Sequence, residues 1–317
     1  PAPNSLDHLS SGLLVRALVS TLPKSGTHLI NLILGNFGLT RLHRDLTQLR
    51  LALSERGPAS IQGAIGKLHD LAIRAGDDAF LLDHIPYNSA LLERMDEDGV
   101  QMIALIRDPR DFVVSFSHHA VKHPSAATQA MVDESTSIHH LQHLLCKRRG
   151  SIPSVLDKYL SLVDGWTQDP RVLTLRFEDI VGPQGGASIL DQLATGKRLA
   201  DFLGLDLSLH AIAEAMNKSF NPTIDLFRRG QVKAWRTELH PAVVDMVWSE
   251  EEELIGRWGY GRDGEVVNRP SADVPDLFER FEEVLTAFIL ENGRLKADRV
   301  RLKAEIVASK AGLQPAS

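Results

Sequence analysis

The sequence predicts an α/β fold in which a parallel sheet is flanked by helices and followed by a C-terminal helical extension. Two observations support this prediction. Short apolar runs rich in β-forming residues alternate with amphipathic helical patterns, which is typical of a parallel sheet covered on both faces. The first run also ends in a glycine-containing turn that leads directly into a helix, an arrangement that binds anions in many α/β proteins.

Four apolar runs are predicted to be strands of this sheet. They comprise residues 13–21, 79–86, 100–108 and 171–180. Helical patterns follow the strands. They cover residues 27–38, 188–205 and a stretch that begins at Pro109, while residues 122–168 are mostly helical or loop-like. Because proline is favoured in the first turn of a helix, Pro109 marks where the helix after the third strand begins.

The composition changes after Tyr260. This change predicts a domain at residues 1–260, a linker at 261–275 and a helical segment at 276–317. Apolar residues in the last segment recur with heptad spacing and are flanked by complementary charges, which predicts a parallel coiled coil and a homodimer. Asn292-Gly293 is also a helix-stop signal, so an intrachain helical hairpin packed on the domain is the alternative.

Bulk composition narrows the class of protein. The 317-residue chain has a formal net charge of −6, which argues against a nucleic-acid-binding protein. No segment reaches the ~18 apolar residues that a bilayer span requires. Cys146 is the single cysteine, and the N-terminal residues are polar without a signal-peptide pattern. We therefore expect a cytoplasmic protein without a membrane span.

The stretch PKSGTH at residues 23–28 joins the first predicted strand to its helix in a P-loop-like unit. A helix N-terminus offers free backbone N–H groups to an anion, Lys24 adds a positive charge, and Gly26 permits close approach of the backbone. Ser25 and Thr27 add hydroxyl donors. The lysine precedes the glycine, whereas in the Walker A motif of ATP-binding proteins it follows the glycine. A strand-to-helix turn without a ligand is the alternative.

The stretch IALIRDPRDFVVS has the composition of a second anion site. Arg107 stands at the end of a predicted strand, and Ser115 lies about two helical turns further on. A phosphate here can accept a charge-assisted hydrogen bond from the arginine and a second bond from the hydroxyl. A surface ion pair between Arg107 and Asp111 is the alternative.

The stretch FRRGQVKAWR has the composition of a third anion site. Arg228 and Arg229 supply planar guanidinium groups with several donors each, and Gly230 lets backbone N–H groups approach a ligand. The alternative is a solvated basic loop in which Trp235 packs on the core.

Together and in this order, the three stretches resemble the motifs of the cytosolic-type sulfotransferase family, which uses 3′-phosphoadenosine 5′-phosphosulfate (PAPS). LPKSGTHL resembles the family's P-K-[ST]-G-T-[TS]-W loop for the 5′-phosphosulfate. RDPRDFVVSFSHH resembles its R-[ND]-x-[KR]-D-x-x-V-S-x-[YF] motif for the 3′-phosphate, and FRRGQVKAWR resembles its R-K-G-x-x-x-x-W-[KR] motif for the same phosphate. The resemblance covers roughly residues 13 to 260.

The resemblance implies a role for each matching residue. The residues of the 5′-phosphosulfate loop are Lys24, Ser25, Gly26, Thr27 and His28. The residues that match 3′-phosphate ligands are Arg107, Ser115, Arg228, Arg229 and Gly230. Phe177 and Phe220 fall where the family has aromatic side chains against the adenine, and both can stack on a purine. Packing in the core is the alternative for both.

His84, in the stretch LLDHIPYN, resembles the histidine of the family's K-T-H-[LF]-P segment, which deprotonates the acceptor. The ordinary pKa of histidine suits proton removal near neutral pH. The rival bases are Asp83, Asp45 and Glu55.

Two positions depart from the family's pattern. Leu82 replaces the lysine of the K-T-H-[LF]-P segment, and Leu29 replaces a tryptophan that stacks on adenine. Residues 39–80 and 120–165 carry no motif and are expected to form the acceptor pocket.

The implied activity is in-line transfer of a sulfuryl group from PAPS to a hydroxyl or amine of a small-molecule, glycan or lipid acceptor, with release of 3′,5′-ADP (PAP). His84 would take the acceptor proton, and Lys24 would stabilise the leaving group. This scheme requires no metal, and a zinc site at His139 and His143 has no obvious third ligand. An ATP-dependent P-loop kinase and a non-catalytic nucleotide-binding scaffold are the alternative functions.

Overall fold

The computed structural model of the chain describes residues 15–54, 57–74, 76, 78–221 and 229–269. Glu55, Arg228 and the helical segment predicted at 276–317 lie outside the described residues.

A five-stranded sheet forms the centre of the domain. Its strands are β1 (Arg16–Thr21), β2 (Thr40–Arg41), β3 (Ala79–Asp83), β4 (Gln101–Ile106) and β5 (Val172–Arg176). They follow the order β2-β3-β1-β4-β5, and every neighbouring pair is parallel. Ser20 at the end of β1 is in register with Asp83, and Thr21 with Leu105. The carboxyl ends of the three central strands therefore meet at one edge of the sheet.

Helices cover both faces of this sheet. The first six are α1 (Thr27–Asn36), α2 (Thr47–Ser54), α3 (Pro58–Ile73), α4 (Ser89–Glu97), α5 (Pro109–Lys122) and α6 (Gln129–Glu134). The following ones are α7 (Ile138–Cys146), α8 (Val155–Gln168), α9 (Phe177–Ile180), α10 (Ile189–Phe202), α11 (Leu209–Lys218), α12 (Trp235–Glu238) and α13 (Pro241–Arg257). Within the described ranges, no helix combines the length and the apolar composition that a bilayer span requires.

The alternation of side chains along the strands creates two apolar cores. Leu18 and Leu81 belong to the core that packs against α3, α5, α7 and α8. The next residues along the same strands, Val19 and Leu82, belong to the core that packs against α1, α10 and α11. Because successive strand residues point to opposite faces of the sheet, a sheet covered on both sides needs apolar residues at both odd and even positions along its strands. The predicted parallel sheet flanked by helices is thus confirmed.

The predicted strand at residues 171–180 is wrong beyond Arg176, because Phe177–Ile180 form the helical turn α9. Glu178 and Asp179 lie in the first turn of this helix, where the dipole favours carboxylates. Arg176 Nε donates to Asp179 Oδ2 at 2.6 Å and fixes the turn. The strands predicted at 79–86 and 100–108 are also shorter than expected, since β3 and β4 end before the polar residues that follow them.

β2 was not predicted from the sequence. It contains only two residues, and it joins the sheet because the backbone N–H of Thr40 donates to the carbonyl of Asp78 at 2.7 Å. Such a short edge strand has no period of its own to detect.

The residues after α13 are hydrogen-bonded to the domain as far as the structure describes them. The fully buried guanidinium of Arg110 donates to the carbonyl of Gly261 at 2.9 Å, and Arg176 donates to the carbonyl of Val267 at 2.9 Å. The described part of the predicted linker, residues 261–269, therefore lies against the end of β5 and against α5, the helix of the second predicted anion site.

Candidate active site

A cavity of about 540 Å³ opens at the edge of the sheet where the strands end. Its wall collects residues that follow β1, β3, β4 and β5, together with residues of helices α1, α2, α5 and α8. The sequence-predicted residues that line it are Lys24, Gly26, Thr27, His28, His84, Arg107, Ser115, Phe177, Phe220, Arg229 and Gly230. The structure thus brings stretches separated by up to two hundred residues to one place.

The loop between β1 and α1 has a backbone shape that requires glycine. Lys24 and Gly26 both adopt positive φ, at 63° and 100°. A Cβ on Gly26 would lie 2.7 Å from Cδ2 of Phe177, which is closer than two carbon atoms can approach. Only glycine fits between this loop and the Phe177 ring, so the loop can place the N-terminus of α1 beside the cavity.

Ser25 differs from the sequence-based expectation. Its side chain is fully buried, with the hydroxyl 2.6 Å from the carbonyl oxygen of Leu22 and 3.2 Å from that of Leu105. Its backbone N–H also donates to the Leu22 carbonyl at 3.1 Å. Ser25 therefore fixes the loop to the sheet and does not line the cavity. The hydroxyl of Thr27 does line it and lies 3.0 Å from that of Thr21.

Arg107 connects the three predicted anion sites. Its Nη1 donates to the carbonyl of Lys24 at 3.0 Å, and its Nη2 donates to the carbonyl of Gln231 at 2.8 Å. The guanidinium carbon lies 4.3 Å from the centroid of the Phe177 ring, in cation–π distance. A pair with Asp111 is also present, at 3.8 Å, but it is buried and not the surface pair given as the alternative. The Nε of Arg107 is buried with no partner in the described part of the chain. Arg107 therefore lines the cavity and also connects the Lys24 loop to the segment after Gly230.

Asp111 fixes the segment that contains the third motif. Its carboxylate accepts the backbone N–H groups of Lys233 at 2.7 Å and Trp235 at 2.9 Å. Burial raises the pKa of Asp111 to about 6, against the opposing effect of the Arg107 charge. These bonds attach the segment after Gly230 to helix α5, about one turn beyond Arg107, the residue that follows β4.

The described part of the third motif lies at the rim of the cavity. Gly230 adopts a positive φ of 59°. The Arg229 side chain is 63% exposed, and its Nη1 lies 3.1 Å from Oε1 of Glu238. An exposed guanidinium beside a glycine can turn toward an anion at little cost in lost packing.

Phe177 is 4% exposed, and one side of its ring is covered by Arg107. This environment favours the packing role that the sequence left open for this residue. Phe220 is half-buried and lines the cavity.

His84 follows β3 and is held by the end of β1. Its Nδ1 lies 2.8 Å from the carbonyl oxygen of Thr21 and 2.9 Å from the hydroxyl of the same residue. Because a carbonyl oxygen can only accept a hydrogen bond, Nδ1 must carry the proton. Nε2 is then the nitrogen of the neutral ring that has a free lone pair. Burial lowers the pKa of His84 below the ordinary histidine value of 6.5. The ring is therefore neutral at physiological pH and can accept a proton at Nε2.

The rival bases that the structure describes are less suited to this role. Oδ1 of Asp83 accepts the backbone N–H of His84 at 2.7 Å and also a hydrogen bond from Arg50 at 3.2 Å. Asp45 is exposed and accepts the backbone N–H of Thr47 at 3.0 Å at the start of α2. Hydrogen bonding to the side chain and the backbone of Thr47 lowers the pKa of Asp45. Neither carboxylate lines the cavity.

A family model described as a sulfotransferase domain matches residues 15–258. The chain belongs to the sulfotransferase family. The match covers β1 to β5 and the described site residues, and it confirms the prediction that the chain is an enzyme of the sulfotransferase class. No curated protein sequence matches this sulfotransferase at a significant level.

A solved sulfotransferase structure shares this fold. Mouse sulfotransferase SULT7A1, complexed with PAP, has 16% identity and a TM-score of 0.50, with 76% of this chain and 85% of the mouse chain covered. Retinol dehydratase in complex with androsterone and inactive cofactor PAP has 18% identity and a TM-score of 0.49, with 75% and 80% of the two chains covered.

Three titratable cavity residues of this sulfotransferase were not predicted from the sequence: Arg50, His119 and Tyr159. His119 follows Ser115 by four residues on α5, so helical spacing alone offered a signal. Burial lowers the pKa of His119 to about 4, with the charge of Lys24 adding to the effect. Arg50 and Tyr159 come from the two segments expected to form the acceptor pocket, where no local pattern marks them.

The helix that carries His139 and His143 gives no support for a metal site. Within the described ranges, no group of three potential ligands among His, Cys, Asp and Glu side chains is arranged to hold a metal ion. Nδ1 of His139 instead lies 3.2 Å from the Gln142 side-chain oxygen.

Proposed function

We propose that this sulfotransferase transfers the sulfuryl group of PAPS to a hydroxyl or amine of a small-molecule, glycan or lipid acceptor and releases PAP. One observation carries the proposal: Lys24, His84 and Arg107 line the same cavity, and Arg107 also bonds the backbone of two of the three predicted anion sites. The mouse relative of the same fold was solved with PAP, which supports this choice of donor.

The donor nucleotide needs two anion sites, and the cavity offers groups for both. Lys24 and the N-terminus of α1 suit the 5′-phosphosulfate. Arg107, Ser115 and Arg229 suit the 3′-phosphate, because arginine and hydroxyl groups form short charge-assisted bonds to phosphate oxygens. Arg228, which lies outside the described residues, is assigned to the 3′-phosphate from its position in the motif. Stacking on the adenine is assigned to Phe220, with Phe177 packed beneath Arg107.

His84 and Lys24 act on opposite partners of the transfer. The Nε2 lone pair of His84 takes the proton of the acceptor hydroxyl, whose oxygen forms a new bond to sulfur. The bond between sulfur and the bridging oxygen of the donor breaks, and Lys24 neutralises the charge that develops on that oxygen. The proton ends on His84 and the electron pair on PAP, so that atoms and charge balance.

Calorimetric titration with PAP, 5′-ADP and ATP-Mg tests the donor site. We expect PAP to bind at least about tenfold more tightly than 5′-ADP, since charge-assisted bonds to the 3′-phosphate are worth roughly 1.5–3 kcal/mol. Ser115→Ala should reduce this preference, whereas Ser161→Ala on the exposed side of α8 should leave it unchanged. Tighter binding of ATP-Mg, or equal binding of PAP and 5′-ADP, would contradict the proposal.

The coiled coil predicted for residues 276–309 supports a homodimer, and the single buried Cys146 supports a cytoplasmic, reducing location. Sedimentation of the full chain and of a chain truncated at residue 270 tests the dimer. An unchanged oligomeric state after truncation would show that the C-terminal segment does not hold the subunits together.

A further inference from the structure

The cavity contains a cation that the proposed transfer does not use. Arg50, on helix α2, lines the wall near His84, and its side chain is 30% exposed. Its helix is anchored by Leu46, which is 1% exposed and lies one turn earlier. Arg50 Nη1 donates to Asp83 Oδ1 at 3.2 Å.

Asp83 positions Arg50 but uses only one of the N–H donors of its guanidinium group. The same carboxylate oxygen accepts the backbone N–H of His84 at 2.7 Å, so arginine and base are held by one group. Within the described residues, this contact is the single hydrogen bond of the Arg50 guanidinium. Since a guanidinium carries five N–H donors, four remain for a ligand that enters the cavity.

Two of the cations that line the cavity, Arg50 and Lys24, act on His84. Burial lowers the pKa of His84, and the charges of Arg50 and Lys24 both add to this effect. The Arg50 charge also acts on Tyr159, where it opposes the rise in pKa caused by burial. His119, in contrast, is affected by Lys24. The Lys24 charge therefore acts on a residue of α5, and the Arg50 charge acts on a residue of α8.

The wall next to Arg50 is apolar and aromatic. The rings of Phe116 and Tyr159 have centroids 4.8 Å apart, and Leu162 follows on the same helix as the tyrosine. Among the described residues that line the cavity there is no carboxylate. A flat apolar molecule fits against these rings, and a negative group on it meets no opposing charge in the wall.

We propose that the acceptor has an apolar, ring-sized body and carries an anionic group that Arg50 binds while the acceptor hydroxyl lies at His84. This inference rests on the proposed function, because it assigns the acceptor of the same cavity. Planar bidentate geometry makes a carboxylate the natural partner of the free guanidinium donors, and a phosphonate offers the same oxygens.

A second role for Arg50 would be to replace the lysine of the family's segment as a helper for the leaving group. Leu82, at that position, is 4% exposed within the apolar core and brings no charge to the cavity. Arg50 belongs to α2, in one of the two segments expected to form the acceptor pocket, whereas Lys24 lies in the loop that suits the 5′-phosphosulfate. The geometry therefore favours acceptor binding over leaving-group stabilisation.

Matched phenolic probes test the inference on the full chain. The reference pair is 3-(4-hydroxyphenyl)propionate and its neutral amide. Further carboxylate–amide pairs have shorter or longer spacers between the ring and the anionic group, so that they vary the reach to Arg50. Binding to the PAP complex is measured by calorimetry, and sulfuryl transfer by incorporation of labelled sulfate from PAPS. A phosphonate analogue in a parallel arm shows whether the site prefers a planar carboxylate or a tetrahedral anion.

We expect the wild type to prefer the carboxylate over the amide in at least one pair, by about tenfold in binding and in kcat/KM. The preference is limited because Arg50 is already bonded to the negative Asp83. Arg50→Gln should abolish the preference, and Arg50→Lys should restore part of it. Arg44→Gln, an exposed arginine of the same segment, should leave it intact.

Three results would overturn the inference. The first is equal use of amide and carboxylate by the wild type, and the second is failure of every anionic probe to bind the PAP complex. The third is an equal loss for both members of each pair in Arg50→Gln, which would assign Arg50 to positioning of His84 through Asp83. In all three cases PAP itself binds, whereas failure of the proposed function would appear as loss of PAP binding in the wild type.

Discussion

Arg107 Nη1 donates to the carbonyl oxygen of Lys24 at 3.0 Å. This bond joins the end of β4 to the loop after β1, across a pair of strands that are themselves in parallel register. Because the second nitrogen of the same guanidinium donates to Gln231, the loop that carries Lys24 and the segment after Gly230 share one support. The two ends of the nucleotide site are therefore coupled through a single side chain.

Arg107→Lys tests this coupling. An ammonium group on a flexible stem cannot span two carbonyls as the planar guanidinium does, so we expect a loss of about 1–3 kcal/mol in stability and weaker PAP binding. Thermal unfolding and PAP titration measure the two effects. Arg171→Lys, which changes an exposed pair with Asp169, is the matched control and should cost under about 0.5 kcal/mol. Equal behaviour of the two variants would show that Arg107 is not a shared support.

Gly26→Ala should disrupt the loop directly. The residue combines a φ of 100° with a Cβ position 2.7 Å from Phe177, so we expect a loss of roughly 1–3 kcal/mol in stability and a larger relative loss of PAP affinity. Gly35→Ala, on the same helix with nothing within 4 Å of its Cβ position, should be neutral or stabilising by up to about 1 kcal/mol. A Gly26→Ala variant that binds PAP normally would show that the loop does not need this shape.

The parts of the fold that were predicted correctly are those with a strong local pattern. β1, β4 and the Pro109 start of α5 each combine a buried apolar run with a clear boundary residue. The turn at Phe177 was missed because its first residue is as apolar as the strand before it. β2 was missed because pairing with β3, at a distance along the chain, is all that defines it.

The site divides in the same way. Motif residues such as Lys24 and Ser115 could be found because their spacing is local. The buried orientation of Ser25 could not, since it depends on the carbonyl of Leu105 in another strand. Arg50 reaches the cavity because of how α2 packs. No sequence pattern near His84 or near Arg50 predicts that the two residues line the same cavity.

His84→Gln should abolish most sulfuryl transfer while PAP binding is retained. Loss of a general base typically costs about 10²–10⁴ in rate. Because burial lowers the pKa of His84 below 6.5, wild-type activity should fall only when the pH drops below this value, as the ring becomes charged. His139→Gln, at an exposed position, is the control and should leave both rate and profile unchanged. Retention of the acidic limb in His84→Gln would assign the base to another group.

Glu178→Gln should change how stability depends on pH. Burial raises the pKa of this carboxyl to about 7 from 4.5, and the side chain accepts bonds from the hydroxyl of Tyr260 at 2.6 Å and the backbone N–H of Asp108 at 3.2 Å. A raised carboxyl pKa favours folding most below pH 4.5, and this contribution is lost as the pH rises through 7.

The glutamine cannot ionise, and its side-chain oxygen can still accept a hydrogen bond from the hydroxyl of Tyr260 or the backbone N–H of Asp108. The stability of Glu178→Gln relative to wild type should therefore increase between pH 4.5 and 7, by at most roughly 3 kcal/mol. Denaturant unfolding at several pH values measures the difference, with Glu252→Gln on the exposed side of α13 as control. A relative stability that stays constant or decreases over this range would mean that the folded protein holds Glu178 ionised, with the nearby Arg107 charge outweighing its burial.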